Sequence, residues 1–153
     1  MTSPYTLRPV TQADYEFLYD LNRRTMRVYV EPLWGWDEAV QRENFQQRFK
    51  LDDHFIIVVD GTNAGRLSVD RSAERIFLSQ INLLPDFQGK GIGSNLIESL
   101  KAEAAQANQP LELRVLQTNR PARRLYTRLG FVVFDENDTH LWMRWQAGIV
   151  TDG

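Results

Sequence analysis

The chain has no cysteine among its 153 residues. That excludes disulfides, thiolate nucleophiles and cysteine-ligated metal centres. Histidine is scarce too: His54 and His140 are the only two, and so separated a pair makes no case for a metal site. Neither sign of charge dominates, since 18 Lys+Arg face 20 Asp+Glu for a net charge of −2. Nothing in that balance calls for nucleic acid or an anionic membrane as partner. No uninterrupted apolar run approaches the ~20 residues that cross a bilayer. The opening Met-Thr-Ser-Pro-Tyr lacks the basic-then-apolar pattern of a secretory signal, so a cytoplasmic protein is expected. Repeats, low-complexity tracts and Gly/Ser linkers are also missing. The expectation is one domain over residues 1–153, with a core at about 5–145 and a tail beyond Gln146 that frays. Hydrophobic residues at 42% and charged residues at 25% are ordinary for a soluble globular chain. At this length roughly two-thirds of the unfolded surface is buried on folding.

Hydrophobic periodicity supplies the elements. Tyr5 to Val10 alternates as a short strand does. Thr11 with Asp14 three residues later resembles a capping box, and Phe17, Leu18 and Leu21 follow at helical spacing. A second helix is expected over about Asp37 to Lys50, with the aromatic stretch "VYVEPLWGWDE", broken by Pro32 and Gly35, as the connection. His54 to Asp60 reads as a strand buried on both faces, and Asp60-Gly61 as a turn. In the next strand, Gly65 to Asp70, Leu67 and Val69 oppose Arg66, Ser68 and Asp70. A further strand over Arg75 to Leu84 stops at Pro85. Ile92, Leu96, Ile97, Leu100 and Ala104 draw one apolar helical face, ended by Asn108-Gln109-Pro110. Leu111, Leu113 and Val115 mark another strand. Ala122, Leu125, Tyr126 and Leu129 stripe a last helix closed by Gly130. Two strands, Phe131–Phe134 and Thr139–Trp145, complete a β-α-α-β-β-β-α-β-α-β-β order. The exposed final strand could pair between subunits, so monomer and homodimer both stay open.

The chemistry concentrates in "QGKGIGS", Gln88 to Ser94, between a strand and a helix. Glycines let the backbone approach a ligand closely, and the helix start presents N–H groups to an anion. A Walker A loop requires G-x-x-x-x-G-K-[ST], which occurs nowhere here. A dinucleotide fingerprint requires a third glycine or alanine three residues after the second, where Leu96 stands. What remains is Q-x-x-G-x-G. A tight turn without a ligand fits the same glycines.

The surrounding sequence resembles the GNAT superfamily of N-acetyltransferases, whose pyrophosphate loop reads (Q/R)-x-x-G-x-(G/A). The likeness extends through "PDFQGKGIGSNLI" and is repeated in "LRVLQTNRPARRLYTRLGF", Leu113 to Phe131. The resemblance spans about Thr6 to Trp145. It implies an α/β (α+β) fold with a mixed, mostly antiparallel central sheet flanked by helices. It implies acetyl-CoA as donor, CoA as product, and a primary amine of a small molecule or peptide as acceptor, acetylated by direct attack. Gln88, Gly89, Lys90, Gly91, Ile92, Gly93 and Ser94 would clamp the pyrophosphate. Backbone groups of Ile81, Asn82, Leu83 and Leu84 would hold the pantetheine arm, and Asn119, a helix N-cap in its own right, would lie near the cofactor. Tyr126 would be the general acid. The same tyrosine also suits a core position with one buried hydroxyl partner.

A base is harder to find. Relatives acting on protein amino termini carry a glutamate at the position of Arg114. Glu112, on the same strand face, is one candidate, though an ion pair with Arg114 fits it equally. Glu74, expected at the start of the strand that ends at Pro85, is the other. The resemblance turns Trp34, Trp36, Gln80 and His140 toward the substrate. Two tryptophans suit a cationic amine and equally suit packing at the helix junction, and His140 suits a structural hydrogen bond. Arg120, Arg124 and Arg128 share a helix face and read as a solvated surface, with the nucleotide end as the alternative. A non-catalytic acyl-CoA-binding module is the rival reading from another class.

Overall fold

A computed structural model describes residues 5–148. The elements follow the expected order: β1 (Thr6–Pro9), α1 (Tyr15–Trp34), α2 (Glu38–Arg48), β2 (His54–Val59), β3 (Thr62–Arg71), β4 (Ile76–Leu83), α3 (Ile92–Gln106), β5 (Leu111–Leu116), α4 (Arg120–Arg128), β6 (Val132–Glu136) and β7 (His140–Trp145). The strands form a seven-stranded sheet in the order β1-β2-β3-β4-β5-β7-β6. β1–β2, β2–β3, β5–β7 and β6–β7 are antiparallel, and β4 meets β5 in parallel. The chain divides into two compact units, residues up to Ser68 with Gln80–Ile92, and Val69–Ser79 with the chain from Gly93 onward. Residues 149–153, part of the expected frayed tail, lie outside the described residues.

In the first unit α1 and α2 bury Leu18, Tyr19, Leu21 and Phe45 with Val10 and Ile56. Each fully buried Leu or Ile contributes ~1.5–3 kcal/mol. Aromatic edges lock the helices together: the Tyr15 ring lies 5.3 Å from Phe45 and 5.2 Å from Phe49, both edge-on. The Thr11–Asp14 pair forms as expected, although it closes a short 3₁₀ turn, Gln12–Asp14, ahead of α1. The Asp14 carboxylate accepts from the Thr11 N–H at 2.9 Å and from two Arg8 nitrogens at 2.9 and 2.8 Å. Hydrogen bonds from Arg8 outweigh burial and hold the Asp14 carboxyl down at about 2. A depressed folded-state pKa contributes stability above the ordinary aspartate range and loses it as the pH falls toward that value. Asp14→Asn is therefore expected to lower Tm by a few degrees at pH 7. The gap from wild type should narrow as both are melted at pH 4, 3 and 2.

Two expectations fail here. "VYVEPLW", expected in a connection, is helical, because α1 runs on through Pro32 to Trp34. Proline near a helix end removes only one ladder bond, and Arg27 Nε donates to Glu31 Oε2 at 2.7 Å across that turn. The stop is Gly35, at φ 74°, whose N–H donates to the Glu31 carbonyl at 2.8 Å. The second failure is the polar face of β3. Ala64 to Val69 are all buried, Arg66 and Ser68 included. Alternation reads as one solvated face only on a strand with a free face, and consecutive burial over residues 64–69 shows that both faces of β3 are covered there.

In the second unit the predicted stripe of α3 is buried at Leu96, Ile97, Leu100 and Ala104. β5 pairs with β7 over its whole length, from Leu111↔Trp145 to Leu116↔His140. Gly130, at φ 96°, closes α4 as the left-handed cap. The Phe131 N–H then donates to the Tyr126 carbonyl at 3.0 Å.

Candidate active site

The loop before α3 is built to leave donors unsatisfied. Gly89 and Gly91 adopt φ 73° and 81°, the left-handed region in which glycine carries no steric cost. The residue preceding α3 is thus Gly91, with no side-chain oxygen to cap the first turn. Among the described residues the N–H groups of Ile92, Gly93 and Ser94 meet no protein acceptor. A Cβ added at Gly89, Gly91 or Gly93 would meet nothing within 4 Å, so open space lies beside the turn. Gln88 anchors the loop, its Nε2 donating to the Leu83 carbonyl at 2.8 Å. Lys90 is exposed, with Nζ 5.8 Å from the Phe87 ring centroid. Uncapped donors and a positive helix end suit an anion of the size of a pyrophosphate.

Backbone groups along β4 alternate between its edges. Leu84 N–H donates to the Ala64 carbonyl at 2.8 Å. The Asn82 carbonyl lies so near β3 that a Cβ on Gly65 would be 2.1 Å from it. Asn82 and Leu84 thus direct their main chain to β3, which corrects the expectation that they offer it to a ligand. Ile81 and Leu83 face the other edge. There the recorded ladder to β5 is confined to Ile76–Leu78 against Leu111–Leu113.

In the second unit Asn119 caps α4, its Oδ1 accepting from Ala122 N–H at 3.3 Å. Tyr126 is 8% exposed, with its ring 5.9 Å from Phe131. The hydroxyl has no hydrogen-bond partner among the described residues, unlike a core tyrosine with a buried partner. Burial pushes the phenol up to about 12, so it keeps its proton at neutral pH.

Neither carboxylate candidate is placed as a base. Glu112 is 5% exposed and held at 2.7 Å by both Arg75 Nη1 and Arg144 Nε. Burial raises its pKa, but the two guanidiniums together outweigh burial and bring it below the usual range. An ion pair with the neighbouring Arg114 was the alternative, and the partners come instead from outside β5, Arg144 lying directly across the ladder. Glu74 is exposed on the turn before Ile76, not on β4.

The substrate-facing candidates differ in exposure and in their recorded contacts. Trp34 is 58% exposed. Trp36 donates from Nε1 to Glu38 Oε1 at 2.9 Å, and the Arg27 guanidinium lies 5.8 Å from its ring, so that aromatic face already carries a cation. Gln80 is half-buried on β4. His140 opens β7 with Nδ1 2.8 Å from Thr139 Oγ1, a structural contact. Arg120, Arg124 and Arg128 are exposed, make no ion pair among the described residues, and line a groove of about 480 Å³ with Arg123 and Thr127.

One group escaped the sequence altogether. Arg66 is 5% exposed, yet its recorded partners are neutral. Nε donates to Asn82 Oδ1 at 2.9 Å, Nη2 to Asn22 Oδ1 at 3.3 Å, and the Phe45 ring lies 5.7 Å from the guanidinium. Burial pushes the guanidinium down to about 10, leaving it charged at neutral pH. Only knowing that β3 is covered on both faces exposes this arginine as unusual.

Residues 15–131 match the model of the "Acetyltransferase (GNAT) family". An uncharacterized N-acetyltransferase of Archaeoglobus fulgidus is 29% identical over 133 residues, a match covering 76% of this chain and 88% of that protein. A second, from Methanocaldococcus jannaschii, is 28% identical over 83% of this chain, which spans only 60% of its length. Among solved structures, the PaiA N-acetyltransferase of Thermoplasma acidophilum in complex with coenzyme A superimposes with a TM-score of 0.75 at 18% identity. That superposition covers 93% of this chain and 98% of the other.

Proposed function

Because the chain belongs to the acetyltransferase (GNAT) family, whose acyl donor is acetyl-CoA, we propose that it acetylates the primary amine of a small molecule or peptide by direct attack. The observation that carries the reading is the start of α3: three N–H donors without a protein acceptor, beside two left-handed glycines and open space. Gln88–Ser94 bind the pyrophosphate there through main-chain donors, with Lys90 adding charge. Ile81 offers its main-chain groups, and Leu83 its N–H, to the pantetheine arm from the edge of β4 turned away from β3, the Leu83 carbonyl being taken by Gln88. When bound, acetyl-CoA supplies the thioester carbonyl that the amine attacks and the sulfur that departs. Tyr126 holds a proton on a hydroxyl that has no other recorded partner and donates it toward that sulfur. Glu112 stays an ion-pair partner, so the amine's proton leaves through solvent or the acceptor's own equilibrium.

Acetyl-CoA or CoA at a hundred times its dissociation constant adds ~2.7 kcal/mol. The expected rise in Tm is about 5–11 °C, with none from ATP or NAD. No rise with either CoA form overturns the reading. The lack of a free carboxylate at Glu112 favours one rival, a non-catalytic acyl-CoA-binding module. Free-thiol release in the presence of an amine panel separates the two.

A further inference from the structure

The geometry points to a carboxylate-binding seat formed by Arg66, Asn22 and Asn82, and hence to an acceptor that bears a carboxylate as well as its amine. This rests on the acetyltransferase reading above and deepens it.

Arginine is almost never fully buried without a paired anion, because an uncompensated buried charge is costly. Arg66 is buried, and both of its hydrogen-bond partners are amide oxygens. Accepting from the guanidinium turns each asparagine's Oδ1 toward it and leaves the two Nδ2 groups as donors. Neither Nδ2 has a recorded partner, and neither has Arg66 Nη1. The only buried side-chain nitrogen or oxygen without a partner among the described residues is His54 Nε2. The three free donors on these side chains are therefore not sealed away: each still borders open space. One cation and two amide donors, with both Oδ1 atoms turned to the guanidinium, recognise an anion and repel a cation. A planar guanidinium with a free edge suits a carboxylate in particular.

The position gives the seat its meaning. Asn82 lies between Ile81 and Leu83, whose main chain faces the edge of β4 proposed to hold the pantetheine arm. Arg66, Asn22, Asn82 and that edge all belong to the first unit. A carboxylate fixed at Arg66 orients the amine of the same molecule beside that strand. A plain alkylamine gains nothing there and leaves the donors unpaired, the situation in which polar sites discriminate most strongly.

The test uses full-length protein and matched acceptors: lysine with cadaverine, tyrosine with tyramine, and each amino acid with its carboxamide. Short peptides, with the carboxylate at the C-terminus or on an aspartate side chain, distinguish the carboxylate's source. Free-thiol release gives kcat and KM, and the Tm of the CoA-saturated protein gives binding without turnover. The expected result is a preference of about 100-fold in kcat/KM for at least one carboxylated member, carried by KM and mirrored in Tm. Arg66→Gln abolishes the preference, Arg66→Lys restores part of it, and both keep the rise in Tm with acetyl-CoA. If Arg66→Gln does not fold, Asn22→Ala on the half-buried surface of α1 should narrow the preference instead. Equal use of the decarboxylated partners overturns the inference. So does a preference that survives in the folded variants, or the absence of any carboxylated acceptor while acetyl-CoA still binds. Loss of acetyl-CoA binding in the wild type overturns the acetyltransferase reading itself.

Discussion

Tyr126→Phe is expected to lower kcat by about 10²–10³-fold while the affinity for acetyl-CoA stays within about twofold of wild type. That lies in the lower part of the roughly 10²–10⁴-fold contributed by a positioned general acid. The same change should leave Tm unchanged or raise it slightly, and this is the discriminating part. The hydroxyl has no hydrogen-bond partner among the described residues and still borders open space, so removing it takes no hydrogen bond from the fold. A structural tyrosine would show the reverse, with lost stability and kept turnover. Because burial holds the phenol at about 12, Tyr126 stays protonated throughout the usual assay range. Any alkaline fall of kcat below about pH 10 must come from another group. Steady-state kinetics with ligand titration and a melting curve on the same preparations test all three statements. Turnover unchanged with a competent acceptor removes Tyr126 from the mechanism.

Gly65→Ala is expected to cost about 3 kcal/mol or more, a fall in Tm of roughly 6–12 °C. The new Cβ would stand 2.1 Å from the Asn82 carbonyl, 2.9 Å from Leu83 Cδ2 and 3.0 Å from Leu83 Cα. Two of those three atoms are main chain, so no rotamer change relieves the contact and β4 itself must move. The displaced segment includes Leu83, proposed to meet the pantetheine arm, and Asn82, which holds Arg66. Affinity for acetyl-CoA should therefore fall together with Tm. Gly93→Ala supplies the stability control. Gly93 lies in α3, has no positive φ and leaves room for a Cβ, so its Tm should hold or rise. Equal melting of Gly65→Ala and wild type would show that β4 yields without cost at this point.

The element order, the donor loop and the stripe of α3 were legible because they depend on local chemistry. Glycines at 89 and 91, a helix pattern from Ile92, and Asn119 two residues ahead of Pro121 each carry their meaning within a few residues. Elements whose character depends on what covers them were not legible. "VYVEPLW" looked like a connection because proline usually ends helices, but Pro32 sits where only one bond is lost and Gly35 makes the actual stop. Glu112 looked like a possible base because it shares a strand face with position 114, where relatives carry a glutamate, and an ion pair with Arg114 fitted it equally. Strand pairing instead brought Arg144 directly opposite, and Arg75 closes on the other oxygen.

The sequence by itself determined the family, the acyl donor and the glycine turn proposed to meet the donor's phosphates, since backbone conformation at glycines and helix starts is set by nearest neighbours. Tertiary structure alone decided three further things. It set which backbone groups of β4 remain available, through the phase of its pairing with β3. It committed both Glu112 oxygens to ion pairs with Arg75 and Arg144. It also buried Arg66 among amides on a strand that looked half-solvated. Each is a matter of what packs against a residue from far along the chain, and burial and charge pairing have no signature in the local order of residues.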